Sequence, residues 1–180
     1  MDLFWRKGFD NTSIADLTDR LGLSPPSLYA AFGSKEQLFR EALDLYAQTD
    51  GSGIWNHLET APTAKEAVHR LLRATAERYT ASNPARGCMI VLSAPQMEGG
   101  NTAICGELKA RRQENVIQLE ERLRQAVEEG ELTPATDVAA LASYFATVQQ
   151  GMSIQARDGA SRETLLAVAD YAMAAWGTAP

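Results

Sequence analysis

The chain carries 17 Lys and Arg against 23 Asp and Glu over 180 residues, a net charge of −6, which excludes indiscriminate nucleic-acid binding by bulk charge. No apolar run reaches the roughly 18 residues of a membrane-crossing helix, and 45% hydrophobic content supplies material for an ordinary packed core. Cys88 and Cys105, the only two cysteines, form no CxxC pair and read as free thiols in a cytoplasmic protein.

Residues 1–9, MDLFWRKGF, read as the tail of a helix, with Leu3, Phe4 and Trp5 as its apolar cluster and Gly8 as its stop. So short a helix is unstable alone, so further residues are expected before Met1. No basic-then-apolar signal peptide opens the chain. Phe9 is placed to pack under the segment that follows.

Ser13 to Gln37, SIADLTDRLGLSPPSLYAAFGSKEQ, organises the rest. Ser13 caps a first helix, with Asp16 three residues on as an acidic form of the capping box. Ile14, Leu17 and Leu21 fall at i, i+3 and i+7 and are expected to line one buried face. Gly22 ends that helix. Ser24 caps the next, with Pro25 and Pro26 at positions whose N–H groups have no intrahelical partner. Since Pro26 has no N–H, the Ser24 hydroxyl must reach Ser27. Leu23 and Leu28 bracket this cap as a hydrophobic staple. Ser34 with Gln37 opens a third helix. Helix, Gly-containing turn, helix is the plan in which the second helix enters the DNA major groove.

Residues 35–50 continue at helical spacing through Leu38, Phe39, Ala42, Leu43, Leu45 and Tyr46, and residues 51–62 read as a loop or a loose turn. Thr63 with Glu66 starts a long helix whose face is Ala67, Val68, Leu71, Leu72 and Tyr79. The run CMIVLSA, residues 88–94, is too short for periodicity to separate a strand from a buried helix; its helical surroundings favour the helix. Pro95 to Gly100 reads as a loop. Thr102 to Glu129 is the longest helical pattern, with Ile104, Leu108, Val116, Leu119, Leu123 and Val127 inward and its charged face solvated. Residues 137–157 and 162–176 form a terminal helical pair rich in alanine, expected to join a second copy in a four-helix bundle. The fold class is all-α: an N-terminal three-helix DNA-binding module with helix-turn-helix over residues 1–46, then a helical domain over 47–180.

Residues 4–43, FWRKGFDNTSIADLTDRLGLSPPSLYAAFGSKEQLFREAL, resemble the TetR-type transcriptional regulators. The shared features are Gly8-Phe9 before the first helix of the motif, Thr12-Ser13 at its start, Leu21-Gly22 at the turn, and the L-Y-x-x-F-x-x-K-E string from Leu28 to Glu36. Beyond them the chain is similar only in layout. The resemblance implies a homodimer, joined through the two C-terminal helices, that binds a palindromic operator in double-stranded DNA. It also implies a repressor released by a small-molecule effector of the larger domain. Thr12, Ser13, Tyr29 and Lys35 are expected to meet phosphates; Ser24, Pro25, Pro26, Ser27 and Ala30 are expected nearest the bases.

Two features depart from that pattern. The first helix is short. The recognition helix also offers no Arg, Lys, Asn or Gln between residues 24 and 32, so bidentate base reading is not available to it. Specificity is then expected from thymine-methyl contacts, serine hydroxyls and DNA shape. Residues 1–40 hold five Lys or Arg and five Asp or Glu, a neutral module. That neutrality keeps open an alternative, a dimeric interaction protein with a weak or vestigial DNA-binding module.

Effector-pocket candidates are Trp55, Met89, Leu92, Phe145, Gln149 and Met152, apolar or amide groups on central elements. An enzyme is not expected: His57 and His69 are twelve residues apart with no metal-type spacing, and no GxSxG or Gly-rich phosphate loop occurs. No catalytic residue, metal, cofactor or membrane contact is assigned.

Overall fold

The computed structural model describes residues 1–93 and 101–177, and among these there is no strand. Four helices open the chain: α1 (Asp2–Lys7), α2 (Ile14–Leu21), α3 (Pro25–Phe32) and α4 (Lys35–Tyr46). Their starts are set by serine caps. The Ser13 hydroxyl accepts the Asp16 N–H at 3.0 Å while Asp16 accepts the Ser13 N–H at 2.9 Å, a complete capping box. The Ser24 hydroxyl accepts from the Ser27 N–H at 3.3 Å, as the missing proline donor requires. Ser34 takes the Gln37 N–H at 3.1 Å. Gly22 adopts φ 65°, and it and Leu23 both donate to the Thr18 carbonyl, a left-handed close that a side chain would strain.

Phe4, Phe9 and Phe39 form the module's aromatic core, with Phe39 edge-on to both others at ring distances of 5.0 and 5.2 Å. Leu17 and Leu28 are buried beside it. Leu21 departs from expectation: it is 47% exposed, because α2 ends on it and leaves it at the far end of the right face. Leu45 is also exposed, two positions from Leu43 and so turned off the buried stripe.

Asp16 also pairs with Lys7 at 2.6 Å. That contact and the Ser13 N–H and hydroxyl hold its carboxyl down to about 2, from an ordinary 3.8. A depressed carboxylate stabilises above its unfolded value and loses that contribution as pH falls through the folded one. The urea midpoint of the Asp16→Asn variant is therefore expected to lie below the parent's at pH 7 and to meet it by about pH 2. A gap that persists at that pH would count against the capping box as its source.

Most of residues 51–62 is helical, not a loop or a loose turn. From Tyr46 the chain passes through a π-helical turn, Ala47–Gly51, into α5 (Ser52–Trp55) and α6 (His57–Thr60). The glycines misled because Gly51 keeps right-handed backbone angles. Its lack of a side chain serves packing instead: a Cβ there would lie 3.3 Å from the Tyr46 carbonyl oxygen.

The larger body holds α7 (Ala64–Tyr79), α8 (Met89–Leu92), α9 (Thr102–Glu128), α10 (Val138–Arg157) and α11 (Arg162–Ala172). Helix α7 packs on α10 and α11, and α10 on α9. The apolar run after Gly87 is one turn of helix with Met89 and Ile90 buried; Ala94 and the loop expected at Pro95 to Gly100 lie outside the described residues. Gly87, at φ 64°, passes so close to α10 that a Cβ would sit 2.4 Å from the Ser153 carbonyl oxygen. The next residue, Cys88, donates its N–H to the Ser153 hydroxyl at 2.7 Å. Neither cysteine forms a disulfide. No helix among the described residues is long and apolar enough to cross a membrane.

Candidate DNA-binding face and ligand cavity

The exposed face of the N-terminal module is built around the start of α3. Ser24, Pro25, Pro26, Ser27, Tyr29 and Ala30 are all exposed, while Leu28 between them is fully buried. Both proline nitrogens lack a hydrogen, and the Ser27 N–H is taken by Ser24. The helix start thus offers DNA no free first-turn N–H, only proline rings, two hydroxyls 2.8 Å apart, a methyl and a phenol. Ser13 is exposed at the start of α2, but its N–H is held by Asp16, whose carboxylate occupies the place an anion would take. Lys35 is half-buried, its amine 4.3 Å from the centre of the Phe9 ring. That partial burial lowers its pKa from the usual lysine value.

Thr12 is the exception. Its side chain is fully buried and its hydroxyl donates to the Gly8 carbonyl at 2.6 Å. The residue braces the α1–α2 turn and is not presented to a phosphate. Nothing in the spacing of Thr12-Ser13 separates a surface hydroxyl from this inward one.

In the larger body, a cavity of about 560 Å³ opens between the π-turn and α5, the end of α7, Cys88 and one face of α9. The α9 lining is Glu107, Ala110, Arg111, Glu114, Asn115 and Gln118, which recur at helical spacing on one side. Of the charged stretches Lys109–Arg112 and Glu120–Arg124, read from the sequence as solvated, Ala110 and Arg111 line the cavity. Of the six pocket candidates, only Trp55 lines the cavity. Met89, Phe145 and Met152 are buried in the core, and Phe145 packs against Tyr144 and Trp176. Leu92 does not line it either. Gln149 stands one layer behind, donating to the hydroxyl of the lining Tyr79 at 2.5 Å.

A line of polar contacts runs from this cavity to the DNA module. Asn101 donates to Glu36 at 3.0 Å, Arg40 to Glu107 at 2.8 Å, and Arg111 to Asp44 at 2.5 Å. Arg111 also bonds Glu107 at 3.0 Å. Residues 36, 40 and 44 are one turn apart on α4, so a single stripe of that helix faces the start of α9. No group of three or more His, Cys, Asp or Glu able to hold a metal occurs among the described residues.

The model of bacterial regulatory proteins of the tetR family matches residues 1–42, and that of the tetracyclin repressor-like C-terminal domain matches residues 64–170. The chain belongs to the TetR family. It is 34% identical to the HTH-type transcriptional repressor ComR of Escherichia coli K12, over 98% of this chain and 84% of that one. The repressor BdcR of the same organism is 32% identical, over 94% and 81%. Among solved structures, a cysteine mutant of the TetR family regulator CifR, complexed with 26-bp double-strand operator DNA, superposes with a TM-score of 0.91. It is 44% identical, over 97% of this chain and 91% of that one.

Proposed function

We propose that this TetR-family chain is a cytoplasmic, homodimeric repressor. In this reading residues 1–46 bind a palindromic operator through α2 and α3. Residues 47–180 dimerise and bind a small-molecule effector whose arrival releases the DNA. The polar stripe between α4 and α9 carries the reading, because two of its members, Glu107 and Arg111, also line the cavity. A ligand that draws either side chain away costs α4 its partners. Effector binding and module orientation then share one free energy, which is what coupling between sites requires.

Dimerisation is supported by the apolar side chains left outside on the last two helices. Tyr144 and Ile154 on α10 and Val168 on α11 are exposed, and Tyr171 is 81% exposed. An open aromatic of that size, with Val168 one turn before it, suits an interface between copies.

Filling the cavity tests the coupling without knowing the effector. Ala110 lies on the lining between Glu107 and Glu114. Ala110→Trp is expected to weaken operator binding at least tenfold, about 1.4 kcal/mol, at an unchanged melting temperature. An operator affinity equal to the parent's would end this reading of the cavity.

A further inference from the structure

We infer that the buried end of the cavity recognises a neutral ligand through one oxygen acceptor, a carbonyl or ether oxygen, held between the hydroxyls of Tyr46 and Tyr79. The inference rests on reading this cavity as the effector site. Tyr46 and Tyr79 both line it, yet are only 2% and 3% exposed, so they stand at its inner end. The Tyr46 O–H donates to the Cys88 sulfur at 3.4 Å. The Tyr79 oxygen already accepts from Gln149, which turns its own proton away from that amide. Gln149 is 3% exposed and Cys88 is pinned by its N–H to Ser153, so the arrangement is rigid.

Two buried phenols therefore line the cavity together with Cys88, and the Tyr46 proton is spent on its sulfur, a weak acceptor. Buried donors gain most from a full-strength partner, and an oxygen in the cavity beside Cys88 would supply it to both. Burial raises the pKa of both phenols, so they remain donors across the physiological range. The same burial argues against a charged ligand group. A carboxylate at that end would need a cation, and the lining guanidinium, Arg111, is already held by Asp44 and Glu107. The volume of about 560 Å³ is that of an ordinary small-molecule site.

Acetophenone and α-methylstyrene, which differ by C=O against C=CH2, isolate the acceptor. Their affinities for the full chain are measured by calorimetry, with melting temperatures recorded for every variant. Acetophenone is expected to bind ten- to a hundredfold more tightly, and the ratio is expected to fall to near one in Tyr46→Phe. Tyr79→Phe is made together with Gln149→Leu, so that no amide is left unpaired, and the same collapse is expected. A parent ratio near one would mean that water serves these hydroxyls, and would overturn the inference. So would a ratio that survives both variants, or failure of acetophenone to bind. The Ala110→Trp operator measurement decides separately whether the cavity acts on DNA, so a lost ratio with weakened operator binding removes the acceptor inference alone.

Discussion

Phe39→Ala is expected to be the most damaging single change in the N-terminal module, at about 3–5 kcal/mol. Phe39 is fully buried and touches Phe4 from α1 and Phe9 from the turn before α2. It is thus the side chain on α4 that three segments share. Removing it leaves a cavity and forfeits two edge-to-face contacts worth about 0.5–1.5 kcal/mol each beyond burial. Small proteins are stable by about 5–15 kcal/mol, so the urea midpoint should fall steeply and operator binding with it. A loss below about 1 kcal/mol would show that the aromatic core does not hold the module together.

The second large effect is expected at the DNA face. Tyr29→Phe with Lys35→Ala should lower operator affinity about 100- to 1,000-fold, roughly 3–4 kcal/mol, because in the proposed dimer each change acts twice. The two substitutions separate in salt. Lys35→Ala removes a cation from each module and should lower the salt slope by about one per module; Tyr29→Phe alone should weaken binding at an unchanged slope. Stability should move little, since Tyr29 is exposed and Lys35 loses its contact with the Phe9 ring, about 0.5–1 kcal/mol, and the attraction of Asp10 and Glu36. Full affinity in the double variant would remove both residues from the interface.

The DNA module was legible because its signals are local. A serine, the two prolines after it and the residue that must donate its N–H all lie within four positions, and the bond from Ser27 to Ser24 follows from chemistry alone. Thr12 and Leu21 were misread for the opposite reason. Whether a hydroxyl turns inward or a leucine runs past the edge of a core depends on what packs across it. The cavity was least legible. A helix face carrying Glu107, Arg111, Glu114 and Gln118 has the same pattern whether it meets water or a ligand. Tyr46 and Tyr79 sit at core spacing and are indeed buried; only the fold reveals that both line one cavity with Cys88. Of the candidates chosen for apolar character, the buried ones were core, as large side chains on central helices usually are.

The most direct test of a neutral, proline-and-serine DNA face working as a pair is a fluorescence-anisotropy titration with duplex from the region upstream of the chain's own gene. The expected result is a saturable complex of two chains per site that resists excess random duplex and is lost in the Tyr29→Phe, Lys35→Ala variant. Equal affinity for random and upstream duplex, or no complex with either, would contradict it.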